Sequence, residues 1–350
     1  MNKRSIYLIS ATSLLTISVF FILTNAGVFK TIEPLNIDMC TTVKGVVGAE
    51  DISFIPSSTT NQSLAFVSSY DRRIEVADPT QKIPGAIYLY DLDTKLFTKV
   101  SPDIDDFKPH GISVYQGANG EIKLFVVDHA YQQQQIQIFS YINNKLVLER
   151  TVTSDLIISP NDLVAVGPEQ FYVSNDHGFT TSIMRLLEDY LMLPFSNIVY
   201  FDGGNAKQVD SWISYANGIN INKAGDQLYV ASVSGLTLYV YDRDLESNEL
   251  YLTHKIDTGT GIDNIELDEN GDLWIGAHPQ LLKFVSHAKN IDKHSPSEII
   301  KINVADGSFD QEIIYRNSGV PLSGSSVAAV KGNRMLVGSV FDSAILDCTL

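Results

Sequence analysis

With 350 residues, 44% of them hydrophobic and 10% aromatic, the chain has ample material for a full core, which excludes a largely disordered state. Its 25 Lys and Arg stand against 41 Asp and Glu, a net charge of −16 with no basic cluster, so a phosphate backbone would be repelled and nucleic-acid binding is excluded. That balance suits high solubility, cationic partners, or carboxylates gathered around a divalent metal.

The first element is an export signal: Lys3 and Arg4, an uncharged apolar stretch from Ile6 to Leu23, then Thr24-Asn25-Ala26. The basic residues stay inside, so the rest of the chain is extracytoplasmic. Residues 6–23 are either retained as a membrane anchor or removed by cleavage after Ala26, which leaves a secreted or periplasmic protein. Residues 1–29 are read as this segment and 30–350 as one domain. Cys40 and Cys348 are the chain's two cysteines, and their placement makes sense if a disulfide joins the ends of a closed domain in an oxidising compartment. The alternative is two unrelated buried thiols.

After Cys40 the chain alternates apolar and polar residues with β-branched and aromatic side chains, which predicts an all-β protein. A turn followed by a short strand recurs six times, with leading apolar residues at Leu64, Leu124, Phe171, Leu228, Leu273 and Leu336. Strand-only repeats at a period of roughly 50 residues predict a six-bladed β-propeller with a closure device. One stretch, residues 181–193, has helical spacing and is read as a helix inserted near the active-site face. It either packs on the propeller, or acts as a lid or a membrane-contacting element.

Ahead of each copy lies a second segment with polar residues where a strand begins. These segments hold Glu50-Asp51, His110-Gly111, Asn161-Asp162, Asn217-Gly218, Asp263-Asn264 and Ser325-Ser326. First strands of propeller blades line the central channel, so these residues converge. Four carboxylates at one axis repel unless a cation neutralises them. Oxygen-only donors in this number select calcium, and they exceed the needs of one ion, so two sites are expected. No Gly-x-Ser-x-Gly, His-Glu-x-x-His, Cys-x-x-Cys or phosphate-binding glycine loop is present.

These residues, with Pro109-His110-Gly111-Ile112-Ser113, residues 161–169, Asn175-Asp176-His177, Ala216-Asn217-Gly218-Ile219-Asn220, residues 271–276 and the two cysteines, resemble the serum paraoxonase/arylesterase family from Cys40 to the C-terminus. The resemblance implies a six-bladed propeller, closed by a disulfide, with two Ca²⁺ in its channel. The catalytic ion would be held by Glu50, Asn161, Asn217, Asp263 and Asn264. The structural ion would take Asp51, Asp162 and the backbone carbonyl of Ile112. His110 matches the proposed general base, His129 its partner, and Asp176 a further acidic residue near the metal. Tyr215, Asp342 and Ala277 depart from the mammalian pattern.

The implied activity is calcium-dependent opening of lactones and cleavage of aryl esters, with organophosphates as a further substrate class. Calcium would polarise the carbonyl while a histidine assists attack by water. Two alternatives stand beside it: a non-catalytic, metal-stabilised binding module and a gluconolactonase-type sugar-lactone hydrolase. A binding module has no need of His110 beside an open ion. The expected partner is a small-molecule lactone or ester, and the sequence carries no signal for oligomeric state.

Overall fold

The period-two alternation of apolar residues folds into twenty-four strands in the computed structural model, which describes residues 16–56, 63–78, 83–130, 133–304 and 307–350. They form six four-stranded antiparallel sheets, arranged as the blades of a propeller. Five blades are consecutive, opening with β2 (Ala49–Phe54), β6 (Pro109–Gln116), β10 (Pro160–Ala165), β14 (Ala216–Ile221) and β18 (Gly261–Leu267). The sixth joins β22 (Ser325–Lys331), β23 (Arg334–Ser339) and β24 (Ala344–Thr349) to β1 (Cys40–Lys44). Each opening strand packs on the next around the ring, β2 also meeting β22, so the six polar segments line one channel.

The core is divided as this architecture requires. Each of six buried apolar clusters spans one pair of neighbouring blades; Phe66 and Ile87 of the first meet Leu124 and Phe139 of the second, and Val164 and Tyr172 of the third meet Leu228 and Tyr241 of the fourth. No blade buries its faces alone, so the ring is stable only when closed. Closure comes from β1, which pairs antiparallel with β24 in a register that sets Cys40 opposite Cys348, and the two are disulfide-bonded. The expected pairing of the cysteines therefore stands.

The helix expected over residues 181–193 is observed at Ser182–Leu191. It is not the sole departure from β structure, which corrects the sequence reading. Helices also form at Arg72–Ala77 and Leu281–Lys289, and over residues 16–25. Lengths of six and nine residues are too short to be stable alone, so tertiary packing forms them. In Leu281–Lys289, Phe284 stacks on His278 with ring centroids 3.9 Å apart and also packs on Phe341. In Arg72–Ala77, the Asp71 side chain caps the first turn through the Arg73 N–H.

Residues 6–15 of the expected anchor lie outside the described residues. Among those described, no helix is long and apolar enough to cross a membrane. The chain that follows docks on the fifth blade: Ala26 is buried and its carbonyl accepts the Leu281 N–H, while Leu35 pairs with Arg316.

The disulfide closes a loop of 308 residues, which chain-entropy reasoning values at about 5 kcal/mol. Replacing both cysteines by serine is expected to lower unfolding free energy by roughly 2–5 kcal/mol in denaturant titration. Unchanged stability would show that the β1–β24 pairing closes the ring unaided.

Candidate active site

The polar segments share one device. In every blade the pairing of the innermost strand with the next slips at the polar residues, between Ala49 and Asp51, Pro109 and Ile112, Pro160 and Leu163, Ala216 and Ile219, Ile262 and Ile265, and Ser325 and Ala328. A bulge frees its residues from the ladder and re-aims their side chains, here toward the axis. Close approach at the axis explains two glycines. A Cβ on Gly111 would lie 2.3 Å from Asp162 Oδ1, and one on Gly218 would lie 2.5 Å from the Asp263 carbonyl oxygen.

The channel holds an upper set of five residues: Glu50, Asn161, Asn217, Asp263 and Asn264, none more than 5% exposed. Four have one polar atom tied down. Asn264 Nδ2 donates to Glu50 Oε1 at 2.7 Å. His278 Nε2 contacts Asp263 Oδ2 at 2.7 Å, and Asn161 Nδ2 donates to Asp176 Oδ2 at 3.5 Å. These contacts orient the groups, and in each residue one oxygen remains buried without a hydrogen-bond partner: Glu50 Oε2, Asn161 Oδ1, Asn217 Oδ1, Asp263 Oδ1 and Asn264 Oδ1. Burial opposes ionisation of Glu50, but the charges of His110 and Arg72 and the Asn264 amide outweigh it and hold its pKa below the usual value. Burial raises Asp263 above the ordinary carboxylate range.

One residue further along their strands lie Asp51 and Asp162. Asp51 Oδ2 accepts the N–H of Ile112 at 2.7 Å, and Asp162 Oδ2 accepts that of Ile219 at 2.9 Å, so each carboxylate ties its own blade to the next. Burial pushes both pKa values well up, and negative neighbours add to it: Asp162 acts on Asp51, and Glu50 and Glu266 act on both. Glu266 is itself raised to about 8 by burial. Among the described residues no group of three or more His, Cys, Asp or Glu is arranged to hold a metal. The upper set is instead two carboxylates with three amides.

His110 and His129 are brought together, Nδ1 to Nε2, at 2.6 Å. Gln134 Oε1 lies 2.5 Å from His129 Nδ1, so that nitrogen carries the proton and His129 Nε2 accepts from His110 Nδ1–H. His110 Nε2 is thereby left facing the carboxylate of Glu50, 3.4 Å from its Oε1. Burial, reinforced by the charge of His110, lowers the His129 pKa to about 3, so His129 itself stays neutral.

Asp176 does more than sit near the upper set. Besides orienting Asn161, its Oδ1 contacts His177 Nδ1 at 2.6 Å, while His177 Nε2 meets Asp189 Oδ1 of helix Ser182–Leu191 at 2.9 Å. Burial works against the imidazolium, but the two carboxylates raise its pKa to about 10. The roles of His177, His278 and Gln134 were missed in the sequence. A signal for His278 existed, because the residue paired with the start of each inner strand is polar in all six blades: Ser69, Asp128, Asn175, Ser232, His278 and Ser339. Most of these brace the loop before the inner strand, as Asp128 does for the Lys108 N–H at 2.9 Å, whereas His278 turns to Asp263.

Fold and channel together define a six-bladed propeller whose functional groups lie at its axis. The family model for Arylesterase matches residues 31–350, and the chain belongs to that family. It is 34% identical over 329 residues to serum paraoxonase/arylesterase 2 of Gallus gallus, covering 90% of each chain. It is 31% identical over 336 residues to serum paraoxonase/arylesterase 1 of Homo sapiens, covering 92% of each. Among solved structures, a luciferin-regenerating enzyme superposes with a TM-score of 0.57 at 14% identity, covering 91% of this chain and 96% of that one. Regucalcin, a calcium-binding protein of Agrobacterium tumefaciens, gives 0.53 at 14% identity over 88% and 90%. The last two show the fold alone.

His177 carries a testable pH dependence. Its pKa rises from 6.5 to about 10 on folding, so its contribution is full below pH 6.5 and is lost as pH climbs through about 10. His177→Gln is expected to lower the melting temperature most near pH 6, with the gap to the parent protein closing by about pH 10. A gap that stays constant over this range would contradict the doubly paired imidazolium.

Proposed function

We propose that the protein is a calcium-dependent hydrolase of lactones and aryl esters. The observation that carries this reading is the set of five buried, partnerless oxygens from Glu50, Asn161, Asn217, Asp263 and Asn264. All are acceptors, so they cannot satisfy one another, and leaving them bare costs about 1–3 kcal/mol each. A hard cation satisfies them together, and amide and carboxylate oxygens in this number suit calcium. We assign these five to a catalytic ion. A second, structural ion is assigned to Asp51, Asp162 and the carbonyl of Ile112, since a cation there relieves the repulsion that raises both carboxyls. Bound calcium supplies a Lewis acid for the substrate carbonyl and a counter-charge for the oxyanion.

The chain's own residues supply the proton chemistry. Gln134 and His129 fix the tautomer of His110 so that Nε2 presents a lone pair to water beside the ester carbon. Glu50, adjacent at 3.4 Å, stabilises the imidazolium formed when that proton arrives. His278 and Asp176 act through others: they orient Asp263 and Asn161, as partners behind metal ligands do. The products are a hydroxy acid from a lactone, or an acid and a phenol from an aryl ester. We place the protein outside the cytoplasm, following the export signal at its N-terminus.

The test is hydrolysis of a lactone panel and phenyl acetate with and without chelator. Mild chelation is expected to abolish both activities reversibly, and prolonged chelation to unfold the propeller. His110→Gln is expected to slow lactone opening by ~10²–10⁴-fold with calcium affinity unchanged in calorimetry. Full activity after metal removal would overturn the metal assignment, and an unaltered pH profile in His110→Gln would overturn the base.

A further inference from the structure

Two aromatic residues at the junction of the third and fourth blades lie in the left-handed backbone region, Trp212 on the last strand of the third blade at φ 70° and Tyr215 in the link at φ 55°. Bulky residues adopt this conformation only where the surroundings enforce it, and such strain gathers at functional sites. Around Tyr215 the enforcement is visible. Its carbonyl accepts the Val233 N–H at 3.0 Å, and the preceding residue, Ser214, is tied to Ser232 at 2.5 Å and to Met192 at 3.1 Å. The turn ends two residues before Asn217, at the start of β14.

The strained turn sets the Tyr215 ring edge-on to His177, with centroids 5.2 Å apart. The carboxylates of Asp176, Asp189 and Asp263 lie close enough to act electrostatically on its hydroxyl. Those three carboxylates bracket it, one of them in the upper oxygen set. Even so, among the described residues its hydroxyl has no hydrogen-bond partner, and the residue keeps partial access to solvent. A phenylalanine would fill the same wall, so packing does not account for the oxygen. His110 lies on β6 and Tyr215 leads into β14, with β10 between them, so the two residues come from different blades around the channel.

We propose that the Tyr215 hydroxyl is a substrate-binding and specificity-determining group that donates a hydrogen bond to the ring oxygen leaving an aliphatic lactone. The proposal rests on the hydrolase reading above. In the reaction water adds to the carbonyl carbon and gives its proton to His110, the ring C–O bond breaks, and the departing oxygen recovers that proton. Tyr215 keeps its own proton throughout. An alkoxide leaving group concentrates more charge than a phenolate, so it gains more from a fixed donor. Tyr215 therefore tunes the enzyme toward aliphatic lactones over aryl esters.

The test is Tyr215→Phe, which keeps the ring and its backbone conformation. Turnover of aliphatic lactones is expected to fall about tenfold, the size of effect that one hydrogen bond to developing charge gives, while phenyl acetate changes less than about threefold. Melting temperature and calcorimetric calcium affinity should match the parent protein. Equal losses on both substrates, or no loss on either, would overturn the proposal. A parent protein with no chelator-sensitive hydrolysis would instead overturn the hydrolase reading itself, and this inference with it.

Discussion

The structure turns on one electrostatic constraint: acceptor oxygens are gathered where no donor can reach them. Each blade contributes a bulge at the same point of its inner strand, and the bulges aim carboxylates and amides at a shared axis. Hydrogen bonds from Asn264 and contacts from His278 and Asp176 fix one side of most of these groups and leave the other side bare. A fold that buries five unpaired oxygens does so at a cost that apolar packing between blades must offset. The cation we propose would remove that cost, which would make metal binding and ring closure one thermodynamic problem.

The same constraint organises the rest of the site. Because the oxygens point inward, the groups to which we assign proton transfer and substrate binding lie around them. The His110–His129–Gln134 relay enters from the second blade, His177 from within the third, and Tyr215 from the link between the third and fourth. His177 also connects the channel to the surface, since it joins Asp176 to Asp189 on helix Ser182–Leu191. That helix exposes Ile183, Leu186, Leu187 and Tyr190. The active-site face thus combines a rigid oxygen cage with helices that owe their order to packing on it.

The sequence revealed the repeat more fully than its decorations. Propeller periodicity was legible because the six second strands begin alike, and the inner-strand residues were legible because they recur at a fixed place before them. Helix Leu281–Lys289 went unread although Leu281, Phe284, Val285 and Ala288 follow helical spacing, because a nine-residue signal between strands is weak and its order depends on Phe284 meeting His278. The roles of His278 and Gln134 stayed hidden for another reason, although the polar slot that His278 fills was itself a signal. Their value lies in which atom of Asp263 or His129 they engage, and that is set by three-dimensional contact rather than by residue type.

Counting bound calcium tests the account most directly. Protein dialysed to equilibrium against calcium, then analysed for metal content, should carry two ions per chain. The double variant Asn217→Ala, Asp263→Ala should carry one and remain folded, because only the upper oxygen set is dismantled. A parent protein that retains no calcium under these conditions would contradict the claim that the partnerless oxygens of the channel are a cation site.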